Sequence, residues 1–315
     1  MKQLLLAVLL VSCFAVSAFA AQGGGAKSDV FFTRDISPAG LMAIYNKLGR
    51  EASGKVAVKL SMGEAGNTHH LSPELIKDLV QKVNGTIVEC NTTYGGSRAD
   101  TAMHMQVAED HGFTKIAKVD IMDEHGEIVL PVENAKYLKH GNYVGANFKN
   151  YDFVLVLTHF KGHAMAGFGG AIKNISIGIA SSHGKAVIHS AGQDIGRPAW
   201  GTDQIKFLET MAEAAKSISD SLDHGKRIMY ISVMNKLSVD CDCDGSPAEP
   251  DMHDIGILGS LDPVALDQAC VDLVYKAPDG KSLINRMESR QGIHTIEHAE
   301  KIGLGSRAYN LINID

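Results

Sequence analysis

The chain reads as a single α/β domain with a mostly parallel sheet covered by helices. Three observations predict this. Lys55-Val56-Ala57-Val58-Lys59-Leu60 and Thr86-Ile87-Val88-Glu89-Cys90 flank an amphipathic helix, and a strand–helix–strand crossover makes its two strands parallel. The continuous apolar run Phe153-Val154-Leu155-Val156-Leu157 has the pattern of a buried strand. Strand and helix patterns alternate without an internal repeat or low-complexity linker, so residues 35–315 form one domain.

The elements follow in order. Residues 21–34 are Gly-rich and polar and predict a flexible lead-in. After the strand at 55–60 and a polar loop, Ser72-Pro73-Glu74 starts a helix with a cap, a proline at the first helical position and an acid. Leu75, Ile76, Leu79, Val80 and Val83 supply its apolar face, and Asn84-Gly85 ends it. A second helix runs from Asp100 to His111. Ile116 to Met122 and Glu127 to Val132 predict short strands joined as a hairpin. The strand at 153–157 delivers a Gly-rich turn, and a helix over Ile172 to Ala180 starts at Gly170. Phe207 to Leu222 is helical, Arg227 to Met234 is a strand, and Asp262-Pro263 starts a helix through Val274. Two short helices close the chain.

The first residues predict a targeting segment. Lys2 gives a positive start, Leu4 to Val16 is apolar, and Ala18-Phe19-Ala20 is a small-x-small cleavage site. The apolar stretch is too short to span a bilayer. The expectation is a Sec signal peptide over residues 1–20, with a periplasmic or secreted product. Leu10-Val11-Ser12-Cys13 resembles a lipoprotein box, but Phe14 to Phe19 stays apolar, so lipidation at Cys13 is the lesser reading. Loss of Lys2 takes the formal charge from −6 to −7. A mildly acidic chain without a Lys/Arg run does not suit nucleic acid or anionic lipid. No later segment is long and apolar enough to cross a membrane.

The chemistry concentrates in two stretches. The first is Thr158-His159-Phe160-Lys161-Gly162-His163, continuing through Gly169-Gly170 to Lys173. A strand, a Gly-rich turn and a helix start present backbone N–H groups to a ligand. Imidazole and ammonium groups there point to an anion or a metal, with His183 and His189 close behind. Lys173 near a helix start opposes the helix dipole unless an anion compensates it. Arg98, with Thr92, Thr93 and Ser97, is a further anion cradle. The second stretch is Asp240-Cys241-Asp242-Cys243-Asp244. Its acids and thiols repel one another when ionised, which a cation would relieve. Cys241 and Cys243 suit one soft metal (Zn, Ni or Fe), whereas the three acids suit Ca²⁺. A bridge between cysteines two apart strains its loop, which argues against two ordinary disulfides and leaves a metal-binding or redox-active dithiol and a labile disulfide as the alternatives. Cys90 and Cys270 read as buried thiols. Neither a Walker loop nor a Gly-x-Gly-x-x-Gly follows a strand, which excludes NAD and gives nucleotides little support.

These residues resemble the domain-of-unknown-function 362 family. The resemblance rests on His159-Phe160-Lys161-Gly162-His163, Gly167 through Asn174, Asp240 through Cys243, Asp254 through Leu258, and Asp262-Pro263-Val264-Ala265. Many relatives carry a ferredoxin-like four-cysteine run. This chain lacks it, so the resemblance does not extend to an iron–sulfur cluster. A shorter stretch is similar to the nickel-pincer lactate racemase family. That similarity implies His163 as proton-transfer base, Lys173 as cofactor anchor and His189 as metal ligand. That cofactor is assembled in the cytosol, a departure from an exported chain.

The combined expectation is an exported, metal-assisted enzyme acting on a small anion by redox or proton-transfer chemistry. His163, Lys173 and His189 are its catalytic candidates. Arg98, Gly169 and Gly170 bind the anion or cofactor, and His159, His183, Asp240, Cys241 and Cys243 hold the metal. A redox partner would serve the cysteines. A non-catalytic metal- or anion-binding protein is the competing class. Either reading requires the histidine-rich turn and the dithiol segment to face one cleft.

Overall fold

The computed structural model describes residues 27–315. The expected signal segment, Cys13 and the start of the lead-in lie outside the described residues. The main sheet has eight strands: β1 (Ser28–Thr33), β2 (Val56–Lys59), β3 (Thr86–Glu89), β4 (Val119–Ile121), β7 (Phe153–His159), β10 (Ile228–Met234), β11 (Gly256–Ser260) and β12 (Tyr309–Asn313). Their order is β12-β1-β11-β10-β7-β2-β3-β4. Only β11 runs against its two neighbours, so the sheet is mostly parallel, as expected. Two small hairpins, β5 (Glu127–Leu130) with β6 (Asn142–Gly145) and β8 (Lys161–His163) with β9 (Gly167–Gly169), lie outside it.

Strand β7 shows why the run at 153–157 is apolar throughout. Alternate side chains leave a strand on opposite faces. Val154 and Val156 join one core with Phe160, Ile172 and Tyr230, while Leu155 and Leu157 join a second core with Ile231 and Val233. Helices α1 (Pro38–Lys47) and α2 (Pro73–Lys82) cover the second face through Leu41, Ile44, Ile76 and Leu79. Helices α4 (Ala171–Ser176), α6 (Gln204–Ser221) and α7 (Pro263–Lys276) cover the first through Ile175, Ala212, Ala215 and Val271. Helix α3 (Thr101–Asp110) is the crossover from β3 to β4, and Asp100 caps it by accepting from the Ala102 and Met103 N–H groups. Helix α5 (Ser182–His189) packs with α6, and α8 (Lys281–Ser289) and α9 (Ile293–Lys301) complete the first face.

Three expectations change. The lead-in read as flexible contains β1, which pairs with β11 and β12. The hairpin expected between 116–122 and 127–132 does not form. The crossover helix α3 places β4 parallel to β3 in the main sheet, and β5 pairs with β6 instead. The helix expected over 172–180 is only Ala171–Ser176.

Candidate functional site

Strands β2, β3, β7 and β10 are parallel, so their carboxyl ends lie on one edge of the sheet. Open α/β sheets bind ligands at that edge. Lys59 ends β2, Glu89 ends β3 and His159 ends β7. A cavity of about 420 Å³ opens there, lined by these three residues together with His163, Lys173, His189 and the segment Asp240–Gly245. The histidine-rich turn and the cysteine segment therefore share one cleft.

Gly162 makes the joint between them. A Cβ at this position would lie 2.3 Å from the Val239 carbonyl oxygen. Without one, the Gly162 N–H donates to the Ser238 carbonyl at 2.9 Å. Asp242 then reaches inward as a buried clamp. His159 Nδ1 is 2.9 Å from one of its oxygens and Lys161 Nζ is 3.1 Å from the other. Burial alone would raise the Asp242 carboxyl, but these two partners hold it at about 2. The other acids disperse: Asp240 pairs with Arg286 at 3.1 Å, and Asp244 caps the Ser246 N–H. The three-acid Ca²⁺ arrangement is thus not formed.

Four cations lie deeper in the cavity. Arg98 lies 3.4 Å from both Glu64 and Glu89. Lys59 donates to the Leu60 carbonyl and to Asn174 Oδ1, and Lys185 to the Ala180 and Cys90 carbonyls. Lys173 donates to no acceptor among the described residues. Of these four cations, Lys173 alone has no hydrogen-bond acceptor or carboxylate partner among the described residues. Burial, reinforced by the neighbouring cations, lowers the ammonium of Lys173 to about 8. Lys59 also falls to about 8, chiefly through burial. Lys59, Lys185, Glu64 and Glu89 escaped the sequence reading. Their available signal was a charged residue closing an apolar strand, as at Lys59 and Glu89.

The two cavity histidines differ. His163 Nδ1 accepts from the Met165 and Ala166 N–H groups at 3.1 and 2.9 Å. Burial, then the charge of Lys173, lowers its pKa well below the usual value. A neutral ring accepting at Nδ1 carries its proton on Nε2. His189 stacks on Phe207 at 4.9 Å, and its buried Nδ1 has no partner. Burial lowers it to about 3, so its ring is neutral and a lone pair is free.

Donor atoms of His163, Cys241 and Cys243 lie within 4.8 Å of one another, the reach of a metal site. The arrangement nevertheless does not fit a metal as it stands. Cys241 and Cys243 form a disulfide rather than a metal-binding dithiol. His163 has its Nδ1 lone pair committed and a proton on Nε2. His159 has both nitrogens facing oxygens, Asp242 Oδ2 and the Asn235 carbonyl. His183 lies outside the cavity, between Glu127 and Asp194 at 2.9 and 3.1 Å. Cys90 and Cys270 are free and buried, as expected. Lys173, with no acceptor among the described residues, and His189, whose Nδ1 has no partner, keep their donor atoms unengaged, whereas His163, expected as a proton-transfer base, has Nδ1 occupied and its proton on Nε2.

Two further placements differ from expectation. Arg98 lines the cavity, but its guanidinium is engaged by Glu64 and Glu89 rather than left for a ligand. Gly169 and Gly170 also line it, yet the start of α4 is turned to Asp267, which accepts from the Ala171 and Ile172 N–H groups at 2.7 and 3.0 Å. A Cβ on Gly170 would lie 2.4 Å from that carboxylate. The glycine serves a helix cap, not a ligand.

The fold and site define an α/β protein with a charged cavity at the carboxyl edge of its sheet. The chain belongs to the family of the domain of unknown function DUF362, which matches residues 56–272. No curated protein matches it. Among solved structures it is similar to the lactate racemase apoprotein from Thermoanaerobacterium thermosaccharolyticum, at 13% identity and a TM-score of 0.47, covering 78% of this chain and 57% of that one. It is also similar to a protein from Thermotoga maritima, at 12% identity and a TM-score of 0.40, covering 84% and 58%. The chain spans less than two thirds of the length of either structure.

Proposed function

We propose that this protein is an enzyme that binds a small anion, a carboxylate or phosphate, and moves a proton on it. The observation that carries the reading is Lys173, a buried cavity ammonium with no acceptor among the described residues, while the lining carboxylates Glu89, Asp240 and Asp242 are each engaged by another cation, Arg98, Arg286 and Lys161. An anion partners that ammonium, and pockets of this size suit small molecules. Lys173, lowered to about 8, is charged near neutral pH when it holds the anion, and it is close enough to neutrality to donate its proton to the bound group as a general acid. His163 presents an Nε2–H group for hydrogen bonding to the developing charge. The proposal includes export through residues 1–20. A disulfide between Cys241 and Cys243 agrees with an oxidising compartment.

The disulfide favours a second reading, oxidation of the bound anion. The substrate would give two electrons, and the bridge would take them with two protons to become two thiols. A redox partner would then restore it.

Deuterium exchange into a panel of small carboxylates and phosphate esters, followed by proton NMR in heavy water, separates the readings. Proton transfer predicts exchange that survives Cys241→Ser and is lost in Lys173→Met. Redox chemistry predicts substrate-dependent appearance of two thiols, lost in Cys241→Ser. Saturable binding with neither outcome would make the chain a binding protein instead.

A further inference from the structure

A second cluster of ligating side chains lies away from the cavity, where α9 packs on α6. His294 and His298 are four residues apart on α9 and so share one face. Glu209 of α6 meets them there. Its Oε1 is 3.2 Å from His294 Nε2 and 3.4 Å from His298 Nδ1. Donor atoms of all three lie within 4.8 Å of one another.

Several features go beyond proximity. A tetrahedral zinc ion with bonds of about 2.0–2.2 Å holds its ligand atoms about 3.4 Å apart, matching both distances to Oε1. The other carboxylate oxygen, Oε2, is fixed by Tyr137 OH at 2.8 Å and Lys136 Nζ at 2.6 Å. Metal-bound carboxylates are commonly oriented in this way by outer hydrogen bonds. His298 is only 6% exposed, and its Nε2 has no hydrogen-bond partner. Lys136 opposes an incoming cation, but it sits on Oε2, while the oxygen facing both imidazoles is Oε1, and its side chain is 61% exposed and so screened by solvent. Unlike the cavity cluster, this one contains no disulfide and no imidazole nitrogen capped by backbone donors.

We propose that Glu209, His294 and His298 form a divalent transition-metal site of the zinc class, with water as fourth ligand. Two imidazoles and one carboxylate are a zinc-type donor set. His294, 29% exposed, marks the open side. The site is independent of the reaction proposed for the cavity.

The test uses the full-length chain, stripped with a chelator, with its cysteines kept oxidised. Co²⁺ is titrated in and its visible absorption followed, with Zn²⁺ as competitor. The expected result is one Co²⁺ per chain with a tetrahedral spectrum, no thiolate charge-transfer band, and displacement by Zn²⁺. His294→Ala and Glu209→Gln should each weaken binding on the order of 100-fold. The double variant Cys241→Ser, Cys243→Ser should bind like the wild type. His294 is partly exposed, so its variant reports on binding even if His298→Ala fails to fold. No saturable uptake by the wild type, or unchanged affinity in His294→Ala, would overturn the proposal. Loss of uptake in the cysteine double variant alone would do so too.

Discussion

The cavity and the α6–α9 cluster contain similar donors and reach opposite chemistry. Each brings three ligating side chains within the same 4.8 Å. In the cavity, the sulfurs are bonded to one another, the His163 Nδ1 lone pair is occupied, and the charge acting most strongly on His163 is the ammonium of Lys173. Between α6 and α9, a carboxylate faces two imidazoles, one of them with an unpartnered nitrogen. Proximity of donors is therefore a poor guide to a metal. The direction of lone pairs and the sign of the surrounding charge decide what a cluster attracts. On the two proposals made above, the cavity takes an anion and the helix pair a cation.

Removing a cavity charge that has partners should have the largest effect. Arg98→Met leaves Glu64 and Glu89 buried without their partner, and Asp242→Asn leaves Lys161 and His159 likewise. Each should cost about 3–5 kcal/mol, read as a lower denaturation midpoint. Lys173→Met sharpens the contrast because Lys173 has no partner to orphan. Its stability should hold or rise, while anion affinity falls by roughly 2 kcal/mol or more. If Lys173→Met destabilised the fold as much as Arg98→Met, Lys173 would be a structural cation and the anion site would be misplaced. Gly170→Ala pushes a methyl group against Asp267 and should cost about 1–3 kcal/mol.

The smallest effects are in pH. Lys59 and Lys173 titrate near 8 in the fold against 10.5 ordinarily. Between those values the unfolded chain holds protons that the fold has released, so ligand-free stability should rise with pH across that window. Anion affinity should fall over the same rise, because the amines lose their charge. The Asp242 clamp has the other sign. Its stabilisation is present above the ordinary 3.8 and is lost as pH falls through about 2. Thermal melts from acid to alkaline pH, with and without phosphate, measure both trends.

The sequence carried those parts of this architecture that depend on local pattern. The apolar run of β7, the Pro73 helix start and the Asp262 cap are local signals, and each lies where its pattern predicts. Strands β1 and β11 were hidden because their partners are distant in the chain. Gly259 in β11 lacks a Cβ so that Ile44 of α1 can lie close, which erases the usual strand signature. At the site, the convergence of the histidine turn and cysteine segment was legible from their compositions. The partners were not: that Asp267 would fill the start of α4, that His183 would turn to Glu127, or that Arg98 would face two glutamates depends on tertiary approach. Glu209, His294 and His298 were invisible for the same reason, since helices far apart in sequence bring them together.

The central claim is that the cavity captures a small anion through Lys173. Trp200, the chain's sole tryptophan, lines that cavity and packs at a tilt against His189, so its fluorescence reports on occupancy. Titration with phosphate and short carboxylates should give a saturable change near neutral pH, weaken well above the value of about 8 at which Lys173 loses its proton, and vanish in Lys173→Met. A response of equal affinity in that variant, or none in the wild type with any of these anions, would contradict the claim.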